Sequence, residues 1–354
     1  MFAYVGSRTT RARNARGDGI SVYQCDQNTG KLTLVQVVGD LVNPSFLARN
    51  KAGDRLYVVH GDCEDISAFK IDAASGKLEF LNRQSTEGKN PVHLALDPTE
   101  KFIVVSNHIT GTLVVLPIAD DGSLLPLTQK VQLAGEPGPH RKEQPFTKPH
   151  FNPFDPSGQY VLVPDKGLDK VFAFRFADGH LLAADAPHVV AREASGPRHL
   201  AFHPNKPWVY VVNELDSTVT AYHFDVTSGA LEPFQIVSSL SETYTANSRS
   251  SEIEVDSTGQ TVYASNRGED SIAVFSIDQN TGRLVLIQTQ NAKGRTPRFF
   301  ALDPCKHWMY VLNEDSDTIV TFAVKPHDGT LSPTSHTVRC GSPVCMVFSP
   351  LLQQ

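Results

Sequence analysis

Residues Gly196–Asp225 read GPRHLAFHPNKPWVYVVNELDSTVTAYHFD. The stretch opens on Pro197-Arg198-His199, runs through a short apolar segment and turns at His203-Pro204-Asn205. A second run, Trp208–Asn213, ends at Glu214, and a polar turn leads into a third run that closes at Asp225. Apolar residues that alternate in short runs, bounded by Pro, Asn and Asp, indicate β-strands. Two charged residues, Arg198 and Glu214, stand where these strands begin and end.

Relatives of this unit recur along the chain. Pro44-Ser-Phe-Leu-Ala, Pro91-Val-His-Leu-Ala, Pro149-His-Phe-Asn-Pro, Pro297-Arg-Phe-Phe-Ala and Pro343-Val-Cys-Met-Val open in the same way, and Ser251-Glu-Ile-Glu fills the slot without proline. Consecutive units are 46–58 residues long. Seven tight turns form a second marker: Asn28-Thr-Gly30, Ser75-Gly76, Asp121-Gly122, Asp178-Gly179, Ser228-Gly229, Asn280-Thr-Gly282 and Asp328-Gly329. Glycine there supplies the positive φ of a hairpin turn. A period of this length with about four strands per unit predicts an all-β, seven-bladed β-propeller, with residues 1–354 as one domain. The last unit stops after its first strand, and Phe2–Gly6 matches Trp208–Asn213. The N- and C-terminal strands are therefore expected to share one blade and close the ring, which removes exposed sheet edges. A sandwich or β-helix also uses alternating strands, but explains neither the four-strand unit nor the complementary ends.

Composition narrows the partners. The net charge of −6 argues against a general nucleic-acid surface, which needs a basic excess. No apolar run approaches the ~20 residues of a membrane helix. Five cysteines, an odd number without a Cys-x-x-Cys pair, fit reduced thiols in a cytoplasmic protein better than a disulfide framework or a thiolate metal site. The N-terminus reads as a strand, with no basic segment ahead of an apolar one, so no secretory signal is expected.

The topology assigns one face of the disk. If the Pro-x-x-Leu run is the innermost strand and the Tyr-Val-Val-Asn run its antiparallel neighbour, the start of the first and the end of the second lie together. That face collects His93, His150, Arg198, His199, Ser250, Ser251 and Arg298 from strand starts, and His60, His108, Lys166, Glu214, Arg267 and Glu314 from strand ends. The opposite face receives turns such as Asp97-Pro and Asp155-Pro-Ser-Gly, which read as ordinary turn chemistry. Three long connections, Ser7–Gly19, Leu133–Lys148 and Ser241–Arg249, join the first face. Long loops gathered at one end commonly carry function. Arg8, Arg11, Arg13 and Arg16, with His140 and Arg141, suggest an anionic small molecule there.

The sharpest cluster is His150, Arg198, Glu214 and Arg267, on three consecutive blades. Guanidinium groups bind carboxylates or phosphates, or steady a developing oxyanion. A carboxylate among them can orient or deprotonate water, although nearby positive charge lowers its basicity. A histidine can shuttle a proton near neutral pH. The competing reading is a structural ion pair between Arg198 and Glu214 within one blade.

GPRHLAFHP, VVNELDSTVTAY, SNRGEDSIAVFSID, TGRL and TPRFFALDP, with the N-terminal YVGS and the His150-x-x-x-Phe-Asp-Pro-Ser-Gly segment, resemble the lactonase family of seven-bladed propellers. That family includes 6-phosphogluconolactonase and carboxy-muconate lactonizing enzymes. The resemblance spans essentially the whole chain. It implies that His150, Arg198, Glu214 and Arg267 match the family's site residues one by one, with Arg298 the next candidate. The implied function is hydrolysis of a sugar lactone, with a 6-phosphogluconolactone-like substrate first. In that reading Arg198 and Arg267 hold the anion or polarise the carbonyl, Glu214 handles water, and His150 serves the ring oxygen. His93, His199, His140 and Arg141 join Arg298 as expected substrate contacts. No cofactor and no metal are expected, although a metal held by scattered Glu and His stays open at this stage. The alternatives are a muconate-type cycloisomerase and a non-catalytic propeller binding module. The expected partner is a small anionic lactone or carboxylate, with no nucleic acid and no membrane, for a monomer or weak homo-oligomer.

Overall fold

In the computed structural model, which describes residues 1–351, the alternating runs form seven antiparallel sheets around an axis. Blade 1 comprises strands Pro44–Arg49, Arg55–His60, Asp65–Ile71 and Leu78–Ser85, in that order outward. Blades 4, 5 and 6 repeat it, with inner strands Pro197–Phe202, Arg249–Val255 and Pro297–Leu302. In blade 2, Pro91–Leu96 is innermost. Blade 7 is composite, as expected from the sequence: Pro343–Phe348 pairs with Phe2–Ser7, in the register Ala3 opposite Phe348, ahead of Ile20–Cys25 and Leu32–Val38. Among the described residues no helix is long and apolar enough to cross a membrane.

Blade 3 departs from the repeat. Its sheet has three strands, and the segment expected as its inner strand joins only through isolated bridges, Pro149 to Asp165 and Phe154 to Val161. Pro149 and Pro153 have no N–H for a ladder. The Asn152 side chain instead donates to the Val104 carbonyl of blade 2 at 2.8 Å.

Packing runs from blade to blade. Each of seven apolar clusters joins two neighbouring sheets; Trp208, Tyr210 and Val212 of blade 4, for example, pack with Val262, Phe275 and Ile277 of blade 5. The hairpin glycines prove to have a second reason beyond their backbone angle. A Cβ on Gly282 of blade 5 would lie 2.7 Å from the Trp208 ring of blade 4, and one on Gly30 of blade 7 would lie 2.7 Å from Trp308 of blade 6. Tyr210 and Tyr263 donate hydroxyl hydrogen bonds across the blade 4–5 and blade 5–6 seams, to the carbonyls of Gly282 and Gly329. Both tryptophans are thus packing residues at the blade seams.

One irregularity positions the site. Inner strands of blades 1, 2, 4, 5 and 6 each carry a register shift at their start, between Pro44 and Phe46, Pro91 and His93, Pro197 and His199, Ser250 and Ile253, and Pro297 and Phe299. A bulge re-aims side chains that strict alternation would send to opposite faces. Two successive residues of these inner strands therefore reach the axis, and His150 and Phe151 reach it from the irregular segment of blade 3. The first set includes Ser45, His150, Arg198 and Arg298. The second includes Phe46, His93, Phe151, His199, Glu252 and Phe299. The rings of the second set touch one another: Phe46 to His93 at 4.4 Å, His93 to Phe151 at 3.9 Å and Phe151 to His199 at 4.2 Å between centroids. This aromatic layer lies between two cavities, one at each mouth of the channel.

Candidate active site

The cavity at the face of long loops is tight, with about 30 Å³ of free space. That is room for about one or two water molecules. Arg8, His150, Arg198, Arg298, Phe46 and Phe299 are among the residues of its wall.

Behind Arg198 sits Glu214, 4% exposed. The position follows from the fold: Asn213 ends the second strand of blade 4 opposite Pro197, so Glu214 projects beside the start of the inner strand. Its Oε2 lies 3.0 Å from Arg198 Nε and 3.2 Å from Arg267 Nη2, and its Oε1 accepts a hydrogen bond from Lys166 Nζ at 3.1 Å. With Arg249 Nη1 at 3.8 Å from Oε1, the carboxylate therefore gathers four cations from blades 3, 4 and 5. The pair within one blade exists, but it is one arm of a network across blades. Burial alone would push the Glu214 carboxyl up, but Lys166, Arg267 and Arg198 outweigh it and hold it well below the ordinary range. The geometry toward both arginines is off the N–H direction: Arg198 Nε and Arg267 Nε are buried without a hydrogen-bond acceptor. Arg198 Nη1 donates to the Ser251 carbonyl and Arg267 Nη2 to that of Ser250. Two guanidinium groups are thus fixed in place with donor capacity left over.

A second acid–base group lies beside it. Arg298 Nη1 is 3.7 Å from Glu314 Oε2, and Arg8 Nε is 3.0 Å from Glu314 Oε1. The remaining charges of the first loop are largely neutralised. Arg13 pairs with Asp62, and Arg16 Nε lies 2.6 Å from Asp317 Oδ2. The basic loop inferred from sequence is tied to acids of the neighbouring blades, and of its four arginines Arg8 reaches the cavity wall.

His150 is 7% exposed on that wall. Its Nδ1 lies 3.1 Å from His199 Nε2, and the His199 Nδ1 lies 3.1 Å from both oxygens of Glu252. Burial, with Arg198 and His108 adding to it, pulls the His150 pKa well below its ordinary value. The protonated imidazole expected of a free shuttle near neutral pH is therefore disfavoured, because neither solvent nor a neighbouring anion stabilises it.

The other expected contacts separate. His199 sits under His150, with Phe151 stacked on its ring. His93 belongs to the aromatic layer, where its Nδ1 is 2.9 Å from Asn152 Oδ1. His140 and Arg141 lie exposed on the long loop, away from the cavity wall. That loop does contribute Glu143, 3.0 Å from Lys166 Nζ and 2.9 Å from Arg249 Nη1. Sequence reasoning placed Lys166 on the right face but gave it no role, although it shares the strand-end position of Glu214. Glu252 was missed, although it aligns with His199 in the repeat. Among the described residues no three His, Cys, Asp or Glu side chains form a metal-binding group.

Comparison with known proteins agrees with this architecture. The family model described as "Lactonase, 7-bladed beta-propeller" matches residues 2–348. A 6-phosphogluconolactonase of Bacillus subtilis is 34% identical over 98% of this chain and 99% of its own length. A second, from Formosa agariphila, is 32% identical over 93% of this chain and 94% of its own length. The structure of the Pseudomonas aeruginosa periplasmic gluconolactonase superposes with a TM-score of 0.92, at 27% identity, covering 99% of both chains. With its seven sheets, its composite closing blade and this full-length match, the chain belongs to the seven-bladed β-propeller lactonase family.

Proposed function

We propose that the protein hydrolyses a sugar lactone carrying an anionic group, with a 6-phosphogluconolactone-like compound as the leading substrate. The observation that carries this reading is a loop-side cavity walled by Arg8, Arg198 and Arg298 beside a neutral imidazole. Fixed guanidinium groups stabilise the oxyanion of acyl transfer or bind a phosphate. The relatives named 6-phosphogluconolactonase support the same substrate class.

In this reading Arg198 and Arg298 face the lactone, and Arg267 supports Arg198 through the shared Glu214. Glu214 is off the cavity wall and ionised against four cations, so it holds the arginines and does not activate water. His150 is the wall residue with a ring nitrogen, Nε2, left without a protein partner among the described residues, and it exchanges the proton with water. Five free thiols, three of them buried, favour a reducing compartment such as the cytoplasm. The direct test is a pH-indicator assay on purified protein over phosphorylated and unphosphorylated lactones. Turnover that requires the phosphate supports the reading. Equal turnover of neutral lactones removes the anion-binding part of it, and no turnover of any lactone removes it altogether.

A further inference from the structure

The three buried groups His150, His199 and Glu252 form a continuous line through the aromatic layer. His150 touches the cavity at the loop-bearing mouth, and Glu252 lies on the wall of the cavity at the opposite mouth. All three are buried, at 7%, 2% and 5% exposure, and the two links between them are each 3.1 Å. The Ile253 N–H donates to Glu252 Oε1 at 3.0 Å and fixes the carboxyl beneath His199.

The line has two complete hydrogen-bond patterns. With Glu252 ionised, His199 Nδ1–H donates to it, His150 Nδ1–H donates to His199 Nε2, and His150 Nε2 presents a lone pair to the cavity. With Glu252 protonated, every bond reverses, and His150 Nε2 carries a proton that it can donate. Both imidazoles are neutral in either pattern. This removes the difficulty posed by His150, which cannot hold a positive charge beside Arg198.

We propose that Glu252, acting through His199, stores the catalytic proton and sets the tautomer of His150. The proposal rests on the hydrolase reading above. As the water oxygen bonds to the lactone carbonyl carbon, its O–H bond breaks and the proton passes to His150 Nε2. The Nδ1 proton of His150 moves to His199 Nε2, and the Nδ1 proton of His199 moves to Glu252. When the ring C–O bond breaks, its electron pair stays on the ring oxygen, which takes a proton back from His150 Nε2. The relay returns to its first state, and lactone and water have become a hydroxy acid that ionises to solvent. His199 and Glu252 are positioning residues, since neither touches the reacting atoms.

The surroundings suit a group that changes protonation. Burial pushes the Glu252 carboxyl up, opposed by Arg198 of blade 4 and Arg298 of blade 6 and reinforced by Glu254 of its own strand. Cys345 of blade 7 also faces it, and its thiol is held protonated by burial.

Two measurements decide the matter. In ¹⁵N spectra of the wild-type protein, His150 and His199 should switch together from Nε2–H to Nδ1–H forms as pH rises, with one midpoint above the ordinary carboxylate range. Independent switching, or imidazolium signals, overturns the relay. In the kinetic measurement, Glu252→Gln should lower kcat by about 10²-fold, with KM changed less than about twofold, and abolish the acid limb of the kcat profile. Glu252→Asp should restore part of the rate and keep that limb. A Glu252→Gln enzyme with wild-type kcat and profile overturns the proposal. If the wild type opens no lactone, the hydrolase reading alone fails, and the coupled switch in the spectra still decides the relay.

Discussion

Two glutamates are buried in one channel and meet opposite fates. Glu214, near the loop-bearing mouth, is surrounded by Lys166, Arg198, Arg249 and Arg267 and is held ionised. Glu252, below the aromatic layer, has a histidine and a backbone N–H as its direct partners, and burial raises its carboxyl. Carboxyls driven apart in this way divide the labour of a site: one is a permanent charge and the other a proton carrier. Residue type does not make that distinction. The count of cations within reach does.

The contrast can be broken most forcefully at Glu214. Glu214→Gln leaves buried cations without their counter-charge and should cost about 3–5 kcal/mol of stability, read as a large fall in Tm. If Tm barely moves, Glu214 is not the electrostatic keystone of this network. Arg198→Ala should lower kcat by about 10²–10³-fold while the protein stays folded, since it removes a donor aimed at the reacting carbonyl. A loss confined to KM would make Arg198 a binding residue only.

The buried histidines add a pH dependence of their own. Burial lowers His60 to about 4 and His93 and His108 to about 3, so each is neutral in the folded protein near neutral pH. Between those values and the ordinary 6.5 the unfolded chain binds more protons. Stability is therefore fully present above pH 6.5 and falls as pH drops, by up to about 1.4 kcal/mol per unit for each histidine. Denaturant titrations from pH 7.5 to 5 check the slope, and a flat curve would show that these rings are hydrated.

Glu252 should slope the other way. Its raised carboxyl binds a proton in the folded state where the unfolded chain has lost it, so its effect on stability worsens as pH rises from about 4.5 towards the raised value. Glu252→Gln should remove that decline while changing stability at pH 5 by about 1 kcal/mol or less. Melting both proteins over the same pH range tests it, and parallel curves would contradict the raised carboxyl. The smallest effect belongs to the rim: Arg16→Ala breaks a half-exposed ion pair and should cost well under about 1 kcal/mol with KM unchanged. A raised KM would restore the first loop as a substrate-binding element.

The ring was readable because its signals are local and repeated. Turn glycines, strand alternation and the recurring Pro-x-x-Leu start each report on a few neighbouring residues. Arg198 and Glu214 were readable for the same reason, since antiparallel pairing brings the start of one strand to the end of the next. The bulge was not readable. It depends on how an inner strand meets its partner, and it sends both Arg198 and His199 to the axis where alternation would separate them. Glu252 was hidden because its unit lacks the proline that marks the others. The loop arginines misled because their partners, Asp62, Glu314 and Asp317, lie far away in sequence. A charge count without geometry cannot tell a paired cation from a free one.

The composite blade has a consequence for the timing of synthesis. Phe2 N donates to Ser349 Oγ across 347 positions of chain, and Phe2–Ser7 has no inner neighbour until Pro343–Phe348 leaves the ribosome. Contacts so distant in sequence form late. During translation the first outer strands wait with one ladder unmatched, while the middle blades can already stack on one another. Val344 of the last strand completes the wall around His150 and Arg198. A nascent chain can therefore carry nearly every residue of the site and still lack its enclosure, so ligand binding should appear abruptly, with the final strand.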